Sequence, residues 1–173
     1  DTIKMVDLSY NCFGDFDLDG FIQVLNGSAS LLEIWLNKNG IGQSGCTSLV
    51  RLMENQESNL EWLYLDDNSI DDDCAIILAG YLVKNTKLKS LFLSANMIGT
   101  RGWSAILNLV CDCSSTNSAK NSNHTLSCFW STERDGRESF ERAFGADDAN
   151  LLRASLHLNQ NGNKMLVARR KIL

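Results

Sequence analysis

The feature that most constrains the fold of this chain is an apolar pattern that recurs about every 28 residues. The pattern is Leu-x-x-Leu-x-Leu-x-x-Asn, with Ile or Val allowed at leucine positions, and it begins at residues 3, 31, 60 and 88. The starts are separated by 28, 29 and 28 residues. Because one such copy cannot bury its leucines alone, the pattern predicts units that stack on one another.

Each copy predicts a short strand, a tight turn and an amphipathic helix. We expect parallel strands near 5–8, 33–37, 62–65 and 90–93, each followed by an outer helix, in an α/β solenoid. The turns are "GIGQSG" at 40–45, "SIDDDC" at 69–74 and "MIGTRG" at 97–102. Cys74 stands where the other turns have Gly45 and Gly102. If this position needs a positive φ, Cys74 is strained and we expect its turn to relax.

The asparagine that closes each strand pattern is predicted to be structural. Its amide can bond backbone groups where the chain leaves the strand, and repetition of those bonds satisfies polar groups that would otherwise be buried unpaired. The residues with this expected role are Asn11, Asn39, Asn68, Asn96 and Asn161.

The regular pattern predicts three segments. Residues 1–110 form four regular units, and 111–123 form a polar loop, "CDCSSTNSAKNSN". Residues 124–173 form a degenerate and a terminal unit that end in a basic helix. The chain opens inside a strand pattern without an initiator methionine, which leaves open that more units precede it.

Composition argues against several function classes. The chain is 44% apolar and 21% charged, with a net charge of −5. This balance indicates a soluble globular protein without a basic surface for nucleic acid or anionic membranes. No apolar run approaches the ~20 residues that a membrane helix needs. We therefore predict neither a nucleic-acid partner nor a membrane partner.

The six cysteines favour reduced thiols. Cys12, Cys46 and Cys74 lie near matching phases of successive units, as core-filling residues do. We predict that Cys46 and Cys74 are reduced, at the start of helices, and that the protein is cytoplasmic. The even count leaves a disulfide framework open. The glycosylation sequons at Asn26 and Asn123 favour that alternative.

Residues with catalytic or metal-binding chemistry are few. Cys111, Cys113, His124 and Cys128 are the candidates for a zinc site, but a Cys-x-Cys pair with a flexible spacer is poor ligand spacing. A Cys–His nucleophile pair would lack an orienting group and an oxyanion hole. The sequence has no phosphate-binding glycine loop. We predict no metal, no cofactor and no enzymatic activity.

The period and the motif "NxIGxxGxxxL" resemble those of leucine-rich-repeat proteins of the ribonuclease-inhibitor subtype. The resemblance covers residues 3–110 and, more weakly, 124–173. The subtype also occurs in NOD-like receptors and in activators of the small GTPase Ran. The resemblance implies a short horseshoe with parallel strands on the concave face and helices on the convex face. It also implies an intracellular protein that binds protein partners on the concave face.

One strand position carries an aromatic side chain in four successive units. Side chains between the leucines point away from the helices and therefore towards the concave side. This position holds Asp7, Trp35, Tyr64, Phe92, Trp130 and His157. We expect the rings to lie side by side and to be partly exposed, so that truncating Tyr64 costs little stability.

The aromatic column and its neighbours form the predicted binding site. Trp62 lies one column over, and acidic residues flank the rings at Glu33, Asp66 and Asp67, with Lys38 as the main positive charge. An exposed apolar stripe with an acidic rim marks an interaction surface, for a basic or amphipathic partner. The alternative is that aromatic residues merely favour strands and stack on each other.

The favoured function is a non-enzymatic module that binds a protein partner on the concave face. One alternative is a GTPase activator of the Ran type, with Arg101 as the residue that would reach the nucleotide. Another is the C-terminal cap of a larger repeat-containing sensor. The sequence does not identify the partner.

Overall fold

The structure is a computed structural model that describes residues 3–25, 27–110, 123, 125 and 126. It contains four strand–helix units in succession. The elements are β1 (Met5–Asp7), α1 (Gly14–Leu25), β2 (Glu33–Trp35), α2 (Gln43–Glu54), β3 (Trp62–Tyr64), α3 (Asp72–Leu82), β4 (Ser90–Phe92) and α4 (Thr100–Val110).

The strands form one parallel sheet in the order β1-β2-β3-β4. The predicted α/β arrangement of sequential parallel strands is therefore confirmed, although each strand ends one or two residues before its predicted boundary. Apart from Asn123, Thr125 and Leu126, the predicted loop and the segment 124–173 lie outside the described residues. None of the four described helices is long and apolar enough to span a bilayer.

The core lies between the sheet and the helices. The central strand residues Ile34, Leu63 and Leu91 are almost completely buried, and so are the third leucines of the last three units. They form one cluster with buried helix residues such as Leu49 and Leu78. Each buried aliphatic side chain contributes about 1.5–3 kcal/mol. The leucine pattern therefore decides which sheet face packs against helices.

The repeated asparagines join each unit to the unit before it. Asn68 Oδ1 accepts hydrogen bonds from the backbone amides of Asn39 and Ile41, both at 3.0 Å. Asn68 Nδ2 donates to the carbonyls of Leu36, at 2.9 Å, and Leu65, at 3.0 Å. Equivalent contacts to the preceding unit recur at Asn39 and Asn96. The structural role is confirmed for these three residues and for Asn11, whose amide donates to two carbonyls of its own unit. Asn161 lies outside the described residues.

A carboxylate from one unit caps the helix of the next unit at two of the three helix junctions. Asp15 Oδ1, in the first turn of α1, accepts from the amides of Gly42 at 2.7 Å and Gly45 at 2.9 Å. This satisfies amides at the start of α2 that have no partner within that helix. The α3–α4 junction repeats the arrangement with Asp72, Gly99 and Gly102.

The α2–α3 junction is capped differently, and this explains Cys74. Asp71 caps its own helix by accepting from the Cys74 amide at 3.0 Å, and Gln43 occupies the position that carries the capping Asp in the other units. The expectation of a strained positive φ at residue 74 was wrong, because neither Cys74 nor its glycine counterparts have one. Space is the cause: a Cβ on Gly45 would lie 2.6 Å from Asp15 Oδ1.

Asn123, the first residue of a predicted sequon, is buried. Its side-chain amide donates to the carbonyls of Leu82, at 2.5 Å, and Asn85, at 3.1 Å, in the segment that ends α3. A glycan requires this nitrogen and open space around it. In this fold Asn123 is therefore a structural residue and not an acceptor site, and Asn26 lies outside the described residues.

Candidate protein-binding face

The face of the sheet turned away from the helices, called here the open face, carries two columns of side chains. The strand register places Asp7, Trp35, Tyr64 and Phe92 in one column. The second column contains Met5, Glu33, Trp62 and Ser90. The prediction that the aromatic residues share one face is confirmed for Trp35, Tyr64 and Phe92.

Three rings form a continuous stack along the first column. The ring centroids of Trp35 and Tyr64 are 4.4 Å apart with an interplanar angle of 31°, and those of Tyr64 and Phe92 are 4.2 Å apart at 14°. Trp35 and Tyr64 are half-buried, as expected for partly exposed rings. Phe92 differs from the expectation, since only 9% of it is exposed. We call these three residues the ring stack, and its accessible part lies over β2 and β3.

Charged neighbours fix the orientation of both tryptophans. Glu33 Oε1 accepts from Trp35 Nε1 at 2.6 Å, so this carboxylate holds the indole ring in place. The Lys89 ammonium lies 5.4 Å from the centroid of the Trp62 ring and pairs with Glu61 at 2.7 Å. Neither Lys89 nor Glu61 was among the predicted residues. They directly precede β4 and β3, and their opposite charges at equivalent positions of neighbouring units were the signal that could have identified them.

The acidic rim is less free than the sequence suggests. Asp67 pairs with Lys38 at 3.2 Å, and Asp66 accepts from the Ser94 amide at 2.7 Å. Hydrogen bonding to Asp67, together with its negative charge, raises the pKa of Lys38 above the ordinary value. The same ammonium lies 5.1 Å from the centroid of the Tyr10 ring. Together with Glu33, which accepts from an indole N–H, all three predicted rim carboxylates therefore already hold groups of this chain.

Backbone conformation at the carboxyl edge of the sheet helps to place these charges. The residue before each repeated asparagine has a left-handed conformation although none is glycine, with φ of 63° at Tyr10, 54° at Lys38, 58° at Asp67 and 53° at Ala95. Such conformations cost on the order of 1 kcal/mol each. The neighbouring asparagine bonds hold the turn in this shape and bring Tyr10, Lys38 and Asp67 together.

Cysteine positions agree with the prediction in part. Cys46 and Cys74 are free thiols, buried near the starts of α2 and α3, as predicted. Hydrogen bonding to Cys74 and burial raise the pKa of the Cys46 thiol well above its ordinary range. The expectation that Cys12 fills the core was wrong, because Cys12 is exposed in a turn with φ of 52°.

Other sequence-predicted residues do not join this face. Arg101 lies at the start of α4, where its guanidinium contacts Asp73 and lies 4.0 Å from Asp72. The aspartates therefore engage the side chain that a GTPase activator would need to extend. Trp130 and the four zinc candidates lie outside the described residues.

Comparison with known proteins shows relatives with leucine-rich repeats. No family model matches the chain. The human protein named "NACHT, LRR and PYD domains-containing protein 3" is 30% identical over 111 residues, which are 64% of this chain and 10% of that protein. Mouse ribonuclease inhibitor is 33% identical over 82 residues, 47% of this chain and 18% of the inhibitor. The resemblance predicted from the sequence is confirmed, and the chain spans about a tenth of the length of its first curated relatives.

Two solved structures share the fold at low sequence identity. The tropomodulin C-terminal domain of Caenorhabditis elegans has a TM-score of 0.67 at 14% identity. The match covers 97% of this chain and 89% of the tropomodulin domain. The structure titled "Leiomodin-1 Actin-Binding Site 2 (ABS2)" has a TM-score of 0.63 at 15% identity. The match covers 98% of this chain and 89% of the leiomodin chain. These similarities support the α/β repeat architecture.

Proposed function

We propose that this chain is a non-enzymatic module that binds a protein partner on its open face, which forms the concave side of a short curved stack of repeats. The observation that carries the proposal is the ring stack. Trp35 and Tyr64 are half-buried on a sheet face that no described helix covers. If the rings served only to fill the core, they would be packed among helix residues, as Leu63 is.

The physical properties of the open face suit recognition. Tryptophan and tyrosine are enriched at residues that dominate binding energy, because they bury large areas with few rotatable bonds. Here neighbouring rings and the Glu33 hydrogen bond already order the Trp35 side chain. Binding would therefore cost less side-chain entropy than at a mobile surface.

The relatives support the class of function without identifying the partner. The name of ribonuclease inhibitor states that it acts on a ribonuclease, and the leiomodin title states that its structure is an actin-binding site. Leucine-rich and related repeats of this shape are therefore used for protein binding. We propose a basic or amphipathic partner, since Asp7 and Glu33 add negative charge beside the ring stack.

The test compares two aromatic truncations on opposite sides of the molecule. Peptides are selected on the wild-type chain from a displayed random library, and their affinities are measured for Trp35→Ala and Phe16→Ala. Phe16 is a matched control because its ring is 97% exposed on α1, on the helix side. Circular dichroism and thermal unfolding establish that both variants are folded.

The expected result is a loss of about 30-fold or more for Trp35→Ala and a change within about twofold for Phe16→Ala. Basic residues should be enriched among the selected peptides. If Phe16→Ala weakens binding as much as Trp35→Ala, or if neither variant changes it, the open face is not the binding surface and the proposal fails.

A further inference from the structure

The ring stack ends differently on its two sides. Towards β4 the last ring among the described residues is Phe92, which is buried. Towards β1 the column continues with Asp7, which has no ring and is exposed. Trp35 therefore has one indole face against Tyr64 and the other turned towards the Asp7 position.

We propose that this end of the stack is a slot for a planar cation, the guanidinium of an arginine side chain in the protein partner. The guanidinium lies against the indole of Trp35, with the carboxylates of Asp7 and Glu33 as its counter-ions. The inference rests on the proposed function, because it names the group of the partner that the open face recognises.

The geometry of the column fits such a group. The rings follow one another at 4.4 and 4.2 Å, close to the spacing of about 4.8 Å between neighbouring strands. A flat group above Asp7 would continue the same spacing by one step. The hydrogen bond of 2.6 Å from Trp35 Nε1 to Glu33 keeps the indole in the orientation that this stacking needs.

The open face already contains this combination of ring, acid and cation at two other places. Lys38 lies over the Tyr10 ring and pairs with Asp67. In the second column, another lysine lies over the Trp62 ring and pairs with a glutamate of the adjacent segment. In each case the chain supplies its own cation.

At Trp35 the ring and the acids are present, but the described residues supply no cation. Among them, no lysine or arginine is within ion-pair distance of Asp7 or Glu33. Asp7 Oδ1 accepts from the Ser9 amide at 2.9 Å. This is the only hydrogen bond of the Asp7 side chain within the described part of the chain. The site therefore has an aromatic face and negative charge for a cation from outside.

Arginine fits the slot better than lysine. The guanidinium is planar, stacks on aromatic faces and is more weakly hydrated than an ammonium. Its fork of donors can also bond two carboxylate oxygens at once. Lysine carries the same charge without the flat shape, and citrulline has the flat shape without the charge.

The experiment uses three short peptides that differ only in the central residue, with sequences Gly-Arg-Gly, Gly-Lys-Gly and Gly-citrulline-Gly. They are titrated into the ¹⁵N-labelled chain at low salt, and the indole N–H signal of Trp35 is followed by NMR. Loss of that signal in Trp35→Phe assigns it. The arginine peptide should produce a saturable shift, the lysine peptide a weaker one and the citrulline peptide the weakest.

Two charge-matched variants test the counter-ion. Asp7→Asn should lower the affinity for the arginine peptide by about 1.5- to 5-fold, the range of an exposed ion pair. Asp17→Asn removes the same charge from the exposed side of α1 and should leave the affinity unchanged. Equal weakening by both variants, or no shift of the Trp35 signal with the arginine peptide, overturns the slot.

The two proposals can fail separately. If selected binders depend on Trp35 while the arginine peptide does not reach its indole, the slot is wrong and the binding face remains. If the arginine peptide binds at Trp35 while no selected binder depends on the open face, the slot remains and the proposed function is wrong.

Discussion

The two faces of the sheet use adjacent residues of the same strands for different purposes. In β3, Leu63 is fully buried against the helices, whereas Tyr64 is half-buried on the open face between two other rings. The helix-side face of the strands is aliphatic, and its contacts are non-directional. The open face carries rings and charges whose geometry is fixed by hydrogen bonds and stacking. Stability and recognition should therefore respond to different substitutions only one residue apart.

The largest expected effect is on the helix-side face. Leu63→Ala removes a fully buried side chain and leaves a cavity, so it should lower the free energy of unfolding by about 2–5 kcal/mol. Urea unfolding followed by circular dichroism measures the loss. A loss below about 1 kcal/mol would mean that the helix-side face is not the principal core, and the contrast between the faces would not hold.

A smaller loss is expected on the open face. Tyr64→Ala removes two ring contacts, each worth about 0.5–1.5 kcal/mol, so the free energy of unfolding should fall by about 1–3 kcal/mol and by less than in Leu63→Ala. This is more than the sequence-based expectation of a small cost. Phe16→Ala, in the exposed control position, should change it by less than about 0.5 kcal/mol. If Tyr64→Ala is as destabilising as Leu63→Ala, the open face belongs to the core.

The smallest effect concerns the Lys38–Asp67 pair at the edge of the open face. Because the folded-state pKa of Lys38 is raised, the pair contributes fully below the ordinary pKa of 10.5, and its contribution is lost as pH rises through the folded value. The difference in stability between the wild type and Asp67→Asn should therefore be constant from about pH 8 to 10 and shrink above that range. Urea unfolding at each pH measures it. A difference that persists unchanged above the folded pKa would show that Asp67 acts by another route.

The sequence was sufficient to predict the parts of the fold that depend on local pattern. Leucine spacing predicted the strand positions and the helix-side face, since a strand has a period of two residues and the pattern recurs in four units. The same alternation placed Trp35, Tyr64 and Phe92 in one column. The asparagine contacts were predictable because an amide can donate and accept at once.

Contacts between units that join different positions of the repeat could not be predicted. The cap from Asp15 to the next helix joins residues 27 and 30 positions apart, and nothing near Gly45 in the sequence indicates the carboxylate beside it. The burial of Phe92 and the pairing of Asp67 with Lys38 likewise depend on neighbouring strands. Single-sequence patterns show which way a side chain points, but not which neighbours it meets.

The capping aspartates also limit how the number of repeats can change during evolution, because each cap and its glycines belong to different units. Loss of the β2–α2 unit alone would place Asp15 opposite Asp71 and Cys74, where like charges and the Cys74 Cβ oppose it. Loss of β2–α2 together with β3–α3 would place Asp15 opposite Gly99 and Gly102, which already accommodate an aspartate. Deletion of the second and third units together should thus be tolerated better than deletion of the second unit alone. Circular dichroism of the one-unit and two-unit deletions tests this, with only the two-unit deletion expected to unfold cooperatively.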